Sequence, residues 1–173
     1  MKKRIILVGK AASGKDYLKR TFVQNGYSAA VSYTTRPPRP DEKEAVDYRF
    51  ISHDLAKEYI KENIFLEYVV FNDWIYGTTR QQWDTEKIFI MTPAGLSRVK
   101  GHDRDESFVI FLDISKNDRL DRLNSRSMPG DTIERRMNAD DEDFEDFVNY
   151  DYRITSSHFS WDDIQKILPI ELK

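Results

Sequence analysis

The chain has 173 residues, a length suited to one domain with a single core. Its 27 Lys and Arg against 30 Asp and Glu leave a formal net charge of −3, which gives no general attraction to nucleic acid or to an anionic membrane. Cysteine is absent, excluding disulfides and thiolate metal sites, and no apolar stretch approaches the length of a membrane span or of a signal-peptide core. A soluble, intracellular, cytoplasmic protein is expected, with any anion site built from locally placed Arg and Lys.

Residues 4–8 form a short apolar run of the kind a buried parallel strand requires. Gly9-Lys10-Ala11-Ala12-Ser13-Gly14-Lys15 follows and fits G-x-x-x-x-G-K, after which Leu18 and Phe22 recur at helical spacing. Strand, loop and helix therefore stand in the order a phosphate-binding loop needs. The loop's backbone N–H groups can cradle phosphates, aided by the helix N-terminus, while Lys15 reaches the outer ones. The next residue is Asp16, where the usual pattern carries a Ser or Thr that holds magnesium. Its carboxylate is still a hard oxygen ligand for Mg²⁺.

Residues 15–25 read as the first helix and 28–33 as the second strand. From 34 to 81 the rhythm breaks: Pro37, Pro38 and Pro40 are followed by a strand-like 48–51, a helix at 53–61 and strand-like runs at 65–71 and 74–78. This stretch reads as an inserted subdomain. Within it Arg36 and Arg39 stand three residues apart on a proline-stiffened segment, two planar forks suited to a phosphate. Strands are then expected at 87–92, 108–114 and 151–156, alternating with helices at 93–100, 116–125, 132–148 and 160–168. The alternation predicts an α/β domain whose central, largely parallel sheet is flanked by helices. In the 132–148 helix, Ile133, Met137, Phe144 and Val148 make a core-facing stripe that leaves Arg135 and Arg136 for another role. Six acids within residues 140–146 read as a solvated face, because a hard-cation site needs converging oxygens. His53, His102 and His158 read as surface or packing residues.

Ser32-Tyr33-Thr34-Thr35-Arg36-Pro37-Pro38-Arg39, with Asp47-Tyr48-Arg49-Phe50, resembles the monophosphate-binding segment of guanylate kinases. So does Phe65-Leu66-Glu67-Tyr68 followed by Tyr76-Gly77-Thr78-Thr79-Arg80. Arg126, Glu134-Arg135-Arg136-Met137 and Tyr150-Asp151-Tyr152 extend the likeness over nearly the whole chain. The resemblance implies a P-loop kinase fold in one domain, 1–173, with a core at 1–31, 82–125 and 133–173. It places a GMP-binding subdomain at 32–81 and a short lid at 126–132.

The same resemblance implies phosphoryl transfer from ATP to GMP or dGMP, with Mg²⁺ as cofactor and ATP as co-substrate. Gly9, Lys10, Ala11, Ala12, Ser13, Gly14, Lys15 and Asp16 would hold ATP, and Asp16, where the family pattern differs, would take the metal through its own carboxylate. Arg36, Arg39, Tyr48 and Tyr76 would hold the GMP phosphate, while Glu67, Thr78 and Ser32 read guanine. A carboxylate suits that base because guanine presents two adjacent donors where adenine presents an acceptor. Lys15, Arg36, Arg126 and Arg136 would be catalytic, and Arg126, Arg135 and Arg136 would form the lid's cationic set. Partners are then small-molecule nucleotides, with no nucleic acid and no membrane, for a monomer or homodimer.

Three positions depart from the family pattern. Asp16 is one. Ile90 and Thr92 stand where guanylate kinases commonly carry two aspartates, so Asp16 would supply a missing carboxylate. Thr155-Ser156 stands where an Asn often follows the last strand. The Gly-Lys-Asp ending also resembles ribose 1,5-bisphosphate phosphokinases, but Ser32, Glu67 and Thr78 form a base reader that a sugar phosphate does not need. A guanylate-kinase-like phosphopeptide-binding module is the remaining alternative, and the intact Gly9, Gly14 and Lys15 count against it.

Overall fold

A computed structural model describes residues 1–124 and 132–173. Arg126 and the expected lid up to residue 131 lie outside the described residues. In chain order the first elements are β1 (Arg4–Gly9), α1 (Lys15–Gln24), β2 (Tyr33–Thr34), β3 (Arg49–Phe50), α2 (His53–Lys61), β4 (Phe65–Phe71) and β5 (Trp74–Thr79). Then come α3 (Arg80–Thr85), β6 (Ile88–Ile90), α4 (Pro93–Leu96), α5 (His102–Asp105), β7 (Ser107–Leu112) and α6 (Lys116–Asn124). The chain continues with α7 (Ile133–Phe144), β8 (Tyr152–Ile154), α8 (Trp161–Ile167) and a 3₁₀ turn, Ile170–Leu172.

The main sheet has the order β6-β1-β7-β8, all pairs parallel. Along β1, Ile5 and Leu7 pack on one face with Leu18 and Phe22 of α1, while Ile6 and Val8 pack on the other with Trp83 and Leu96. Burial on both faces is why the strand reads as a continuous apolar run rather than an alternation. The carboxyl ends of these strands carry the phosphate loop, Thr92 and Asp113, the edge at which open α/β sheets take their ligands. No helix among the described residues is long and apolar enough to cross a membrane.

A second sheet, β3-β2-β5-β4, is built wholly from residues 33–79. Its β4–β5 hairpin turns through Asn72 and Asp73, both left-handed (φ 51 and 62), as a two-residue turn between twisted strands requires. Behind the sheet a separate small cluster of Ala56, Phe65 and Ile75 is closed over by Tyr33, Tyr59 and Tyr68.

Several expected elements differ. The 28–33 strand is reduced to a bridge from Ala29 to Ile88, and the next strand, β2, belongs to the other sheet. The chain leaves the main sheet after Ala30, whose N–H is donated to the Ile88 carbonyl. The 93–100 helix is the single turn α4, started by the Thr92 cap and Pro93. The 132–148 helix ends at Phe144, so the apolar stripe does not reach Val148, which is 82% exposed. Phe144, Phe147 and Tyr150 instead gather on the Phe111 ring. Helix α3 has no counterpart among the expected elements, although Thr79 and Gln82 form a capping box at its start.

Candidate functional site

The phosphate loop joins β1 to α1 with two left-handed residues, Ala12 (φ 58) and Gly14 (φ 101). Such alternation curls successive N–H groups into a concavity suited to an anion. Gly9 permits the close approach on which the loop depends: a Cβ there would lie 2.6 Å from Ser13 Oγ and 2.7 Å from the Leu112 carbonyl. Lys15 Nζ folds back over the loop and donates to the carbonyls of Gly9 (2.6 Å) and Lys10 (3.0 Å). Asp16 is exposed in the first turn of α1. It opposes ionisation of Tyr48, whose phenol burial pushes up to about 12 with Asp16 and Tyr76 adding to the shift. The loop and the inserted sheet thus lie within electrostatic reach of each other.

Alongside the loop is a cleft of about 650 Å³ lined in part by Tyr17, Arg122, His158 and Phe159. Arg122 crosses it, donating to the carbonyls of Ala12 (3.0 Å) and Ser157 (3.3 Å). Ser156 Oγ is turned to the His158 backbone, accepting from its N–H and donating to its carbonyl.

In the inserted sheet Arg36, Arg39, Tyr48 and Tyr76 come together. Arg36 lies 5.4 Å over the Tyr48 ring, and the Tyr48 and Tyr76 rings are 6.0 Å apart. Glu42, which carries no role in the sequence reading, ties the two arginines. It accepts from Arg36 Nη2 at 2.8 Å and from the Arg39 N–H at 2.9 Å, and lies 3.6 Å from Arg39 Nη1. These contacts hold the Glu42 carboxyl below the ordinary range against the opposing effect of burial, the largest single influence on it. The signal available in the sequence was an acid three residues past the second arginine.

Glu67 is 6% exposed and sits opposite Thr78 in the β4–β5 ladder. It reaches that face through a β-bulge. Phe65 pairs with Thr79 but Glu67 with Thr78, so two steps on β4 match one on β5. Regular alternation would have put Phe65 and Glu67 on one face. The bulge sends the Phe65 ring to the apolar cluster, where it fills the space a Cβ on Gly77 would need (2.8 Å), and turns Glu67 to the face of Tyr76 and Thr78. From the other side α4 leaves room for the carboxylate only because residue 95 is glycine: a Cβ there would lie 2.5 Å from Glu67 Oε2. Burial pushes the Glu67 carboxyl up to about 7, with Thr78 and Arg98 pulling the other way.

Ile90 ends β6 half-buried, and Thr92 spends its hydroxyl capping α4, accepting from the Gly95 N–H at 3.1 Å. Neither is an acid. Asp113, at the end of β7, pairs with Arg153, whose Nε lies 2.9 Å from its Oδ2. Arg135 and Arg136, at the start of α7, lie 5.2 and 6.0 Å over the Phe71 ring at the end of β4. Of the acids at 140–146, Asp140 and Asp141 do not form a plain solvated face: they bond to Ala11 and Lys10 of the phosphate loop. His53 stacks near Trp74 and His102 pairs with Glu106 at 3.1 Å, both away from the phosphate loop.

A parallel sheet with a phosphate loop at the end of its second-position strand, and an inserted sheet flanked by a segment with paired arginines, defines the phosphate-loop class of nucleotide-binding α/β folds. Comparison with known proteins narrows the class. The guanylate kinase family model matches residues 1–169, and the chain belongs to that family. The guanylate kinase of Hydrogenovibrio crunogenus is 31% identical over 163 residues, covering 89% of this chain and 80% of that protein. That of Legionella pneumophila is 29% identical over 164 residues, covering 89% and 78%. Among solved structures, the guanylate kinase from Anaplasma phagocytophilum superposes with a TM-score of 0.69 at 20% identity, over 91% of this chain and 79% of its own, a likeness of fold.

Proposed function

We propose that the chain transfers the γ-phosphoryl group of ATP to GMP or dGMP, yielding ADP and the nucleoside diphosphate. An oxygen of the acceptor phosphate bonds to the γ-phosphorus while the bond from that phosphorus to the β–γ bridging oxygen breaks. ADP leaves with the electron pair. Little general acid–base chemistry is needed, and catalysis rests on alignment and on positive charge around the transferred group.

The observation that carries this reading is the buried Glu67 carboxylate beside Thr78, in the inserted sheet from whose strand β2 the segment with the two arginines leads off. Its two oxygens suit guanine's N1–H and 2-amino donors, and Thr78 with Ser32 offers hydroxyls to O6. Adenine would leave these buried groups unpaired, which is the strongest form of rejection available to such a pocket. Arg36 and Arg39 grip the acceptor phosphate with Tyr48 and Tyr76, the Arg36 fork and the Arg39 backbone held ready by Glu42. On the donor side, residues 9–16 cradle the polyphosphate, and Lys15 exchanges its loop carbonyls for phosphate oxygens. Tyr17, Arg122 and Phe159 flank the donor nucleoside in the adjoining cleft. Arg135 and Arg136 supply charge to the phosphoryl in flight, with Arg126 in the same role. In this reading residues 32–81 are the acceptor subdomain and 126–132 the lid.

Mg²⁺ is the cofactor assigned here, with Asp16 as its protein ligand. Among the described residues no three His, Asp or Glu converge, which suits an ion held by one carboxylate, substrate phosphates and water. Asp16 would hold the ion, which would supply positive charge against that of the donor phosphates.

A coupled assay with ATP and a panel of GMP, dGMP, AMP and ribose 1,5-bisphosphate tests the reading. Turnover of GMP or dGMP, absent with AMP and abolished by Lys15→Ala, is the expected result. Turnover of ribose 1,5-bisphosphate alone, or GMP binding without any transfer, would overturn it.

A further inference from the structure

The acids in the carboxyl half of α7 and just beyond it divide into two kinds. Glu142, Asp143, Glu145 and Asp146 are exposed and, among the described residues, make no bond to the phosphate loop, whereas half-buried Asp140 and exposed Asp141 are both bonded to it. Asp140 Oδ2 accepts the Ala11 N–H at 2.8 Å and lies 3.3 Å from Arg119 Nη1. Arg119, on α6, is 2% exposed and also donates to the Ile114 carbonyl at 3.2 Å. Asp141 Oδ1 pairs with Lys10 Nζ at 2.5 Å. At its other end α7 lays Arg135 and Arg136 over Phe71, on the acceptor hairpin. One rigid helix therefore touches the phosphate loop with one end and the inserted sheet with the other.

We propose that Asp140 is a positioning residue: by bonding the Ala11 N–H it fixes the register of α7 on the phosphate loop and so aims Arg136 at the phosphoryl group. The inference rests on the reading of Arg136 as a transition-state cation. Residues 136 and 140 are one helical turn apart, about 6 Å along the axis, so a slip at the loop passes undiminished to the arginine. A misplacement of about 1 Å in a group aligned for transfer costs on the order of 100-fold in rate. Loss of the Asp140 contact should therefore lower kcat while leaving the acceptor KM, set by the other sheet, nearly unchanged.

Asp140 also neutralises buried Arg119, and removing it alone would strand that cation and weaken the fold. The test therefore uses the double variant Asp140→Ala/Arg119→Leu, which removes both charges together, beside Asp140→Asn, whose amide oxygen can still accept from the Ala11 N–H and leaves Arg119 a hydrogen-bond acceptor in place of the counter-charge. With folding checked by circular dichroism, the double variant is expected to lose about tenfold or more in kcat with GMP KM within about twofold, and Asp140→Asn to retain most of kcat. Adding Arg136→Ala to the double variant should cost far less than it costs the parent protein, because the two act through one group. Additive losses, or a folded double variant with unchanged kcat, overturn the proposal. Hydrogen exchange at the Ala11 amide gives a readout that needs no turnover. Protection lost in the double variant and kept in Asp140→Asn supports the contact even if the acceptor is not GMP, and protection equal in all forms counts against it.

Discussion

Glu67 gets its environment from residues with no chemistry of their own: Leu66, the extra residue of the bulge, and Gly95, whose missing Cβ leaves space for the carboxylate. The enclosure that results has a consequence in pH. The free carboxyl loses its proton near 4.5 and the enclosed one near 7, so between those values the folded chain holds a proton that the unfolded chain has released. Stability from this group is therefore full below about pH 4.5 and is lost as pH rises through about 7, a loss of roughly 3 kcal/mol. In the proposed base site guanine would act in the opposite sense, since its donors would pair with the ionised form: GMP binding should expel the proton and tighten as pH rises through about 7. The phosphate of GMP titrates in the same region, and Glu67→Gln separates the two effects because it keeps only the phosphate's share. Calorimetric titrations in buffers of different ionisation enthalpy should find more protons released by the parent protein than by Glu67→Gln at about pH 6.5. Equal proton counts would remove Glu67 from the base site, and so would an unchanged preference for GMP over AMP.

Among the elements, the loop and α1 show most plainly how local electrostatics cut two ways. Asp16 stands in the first turn of α1, where a negative charge favours the helix, yet that is also where polyphosphate is to bind. Without a cation the two anions would repel; with Mg²⁺ bound, the same carboxylate would serve as a ligand in the proposed site. The ratio of ATP affinity with Mg²⁺ to that without should consequently be larger for the parent chain than for Asp16→Ser. A fluorescent ATP analogue titrated with and without the metal measures it, and equal ratios would take Asp16 out of the metal site. This element was legible in the sequence because its parts are contiguous: strand, loop and helix follow one another within residues 4–24. The paired arginines and Glu67 were legible through motif, but the reason Glu67 faces the site was not. A bulge is a mismatch between two strands, and no single strand's alternation records it. Helix α7 shows the complementary failure. Its apolar spacing continues past Phe144 while the helix does not, and an acidic run that looks solvated by composition is docked at two of its six acids by tertiary contact.

At the scale of the molecule, two sheets with separate apolar clusters meet through a few elements. Helix α4 packs on β4 beside Glu67, Arg98 lies 4.3 Å over the Tyr68 ring, and α7 reaches from the phosphate loop to Phe71. The sequence marks residues 34–81 as an interruption but gives no sign of these bridges, since each joins segments far apart in the chain. They make the proposed donor and acceptor sites share structure. A ligand present at about 100 times its Kd stabilises the folded state by about 2.7 kcal/mol, and two independent sites would simply add. With ATP at the proposed donor site and GMP at the proposed acceptor site, α7, which touches both the loop and the hairpin, would be ordered by either, so the second ligand would find part of its ordering already done. Thermal unfolding with GMP, with a non-hydrolysable ATP analogue plus Mg²⁺, and with both should show a joint shift larger than the sum of the separate ones. Hydrogen exchange should locate the excess protection in β4, β5 and α7. Strict additivity would mean that the bridges carry no coupling, and that the two sheets bind their nucleotides as independent units.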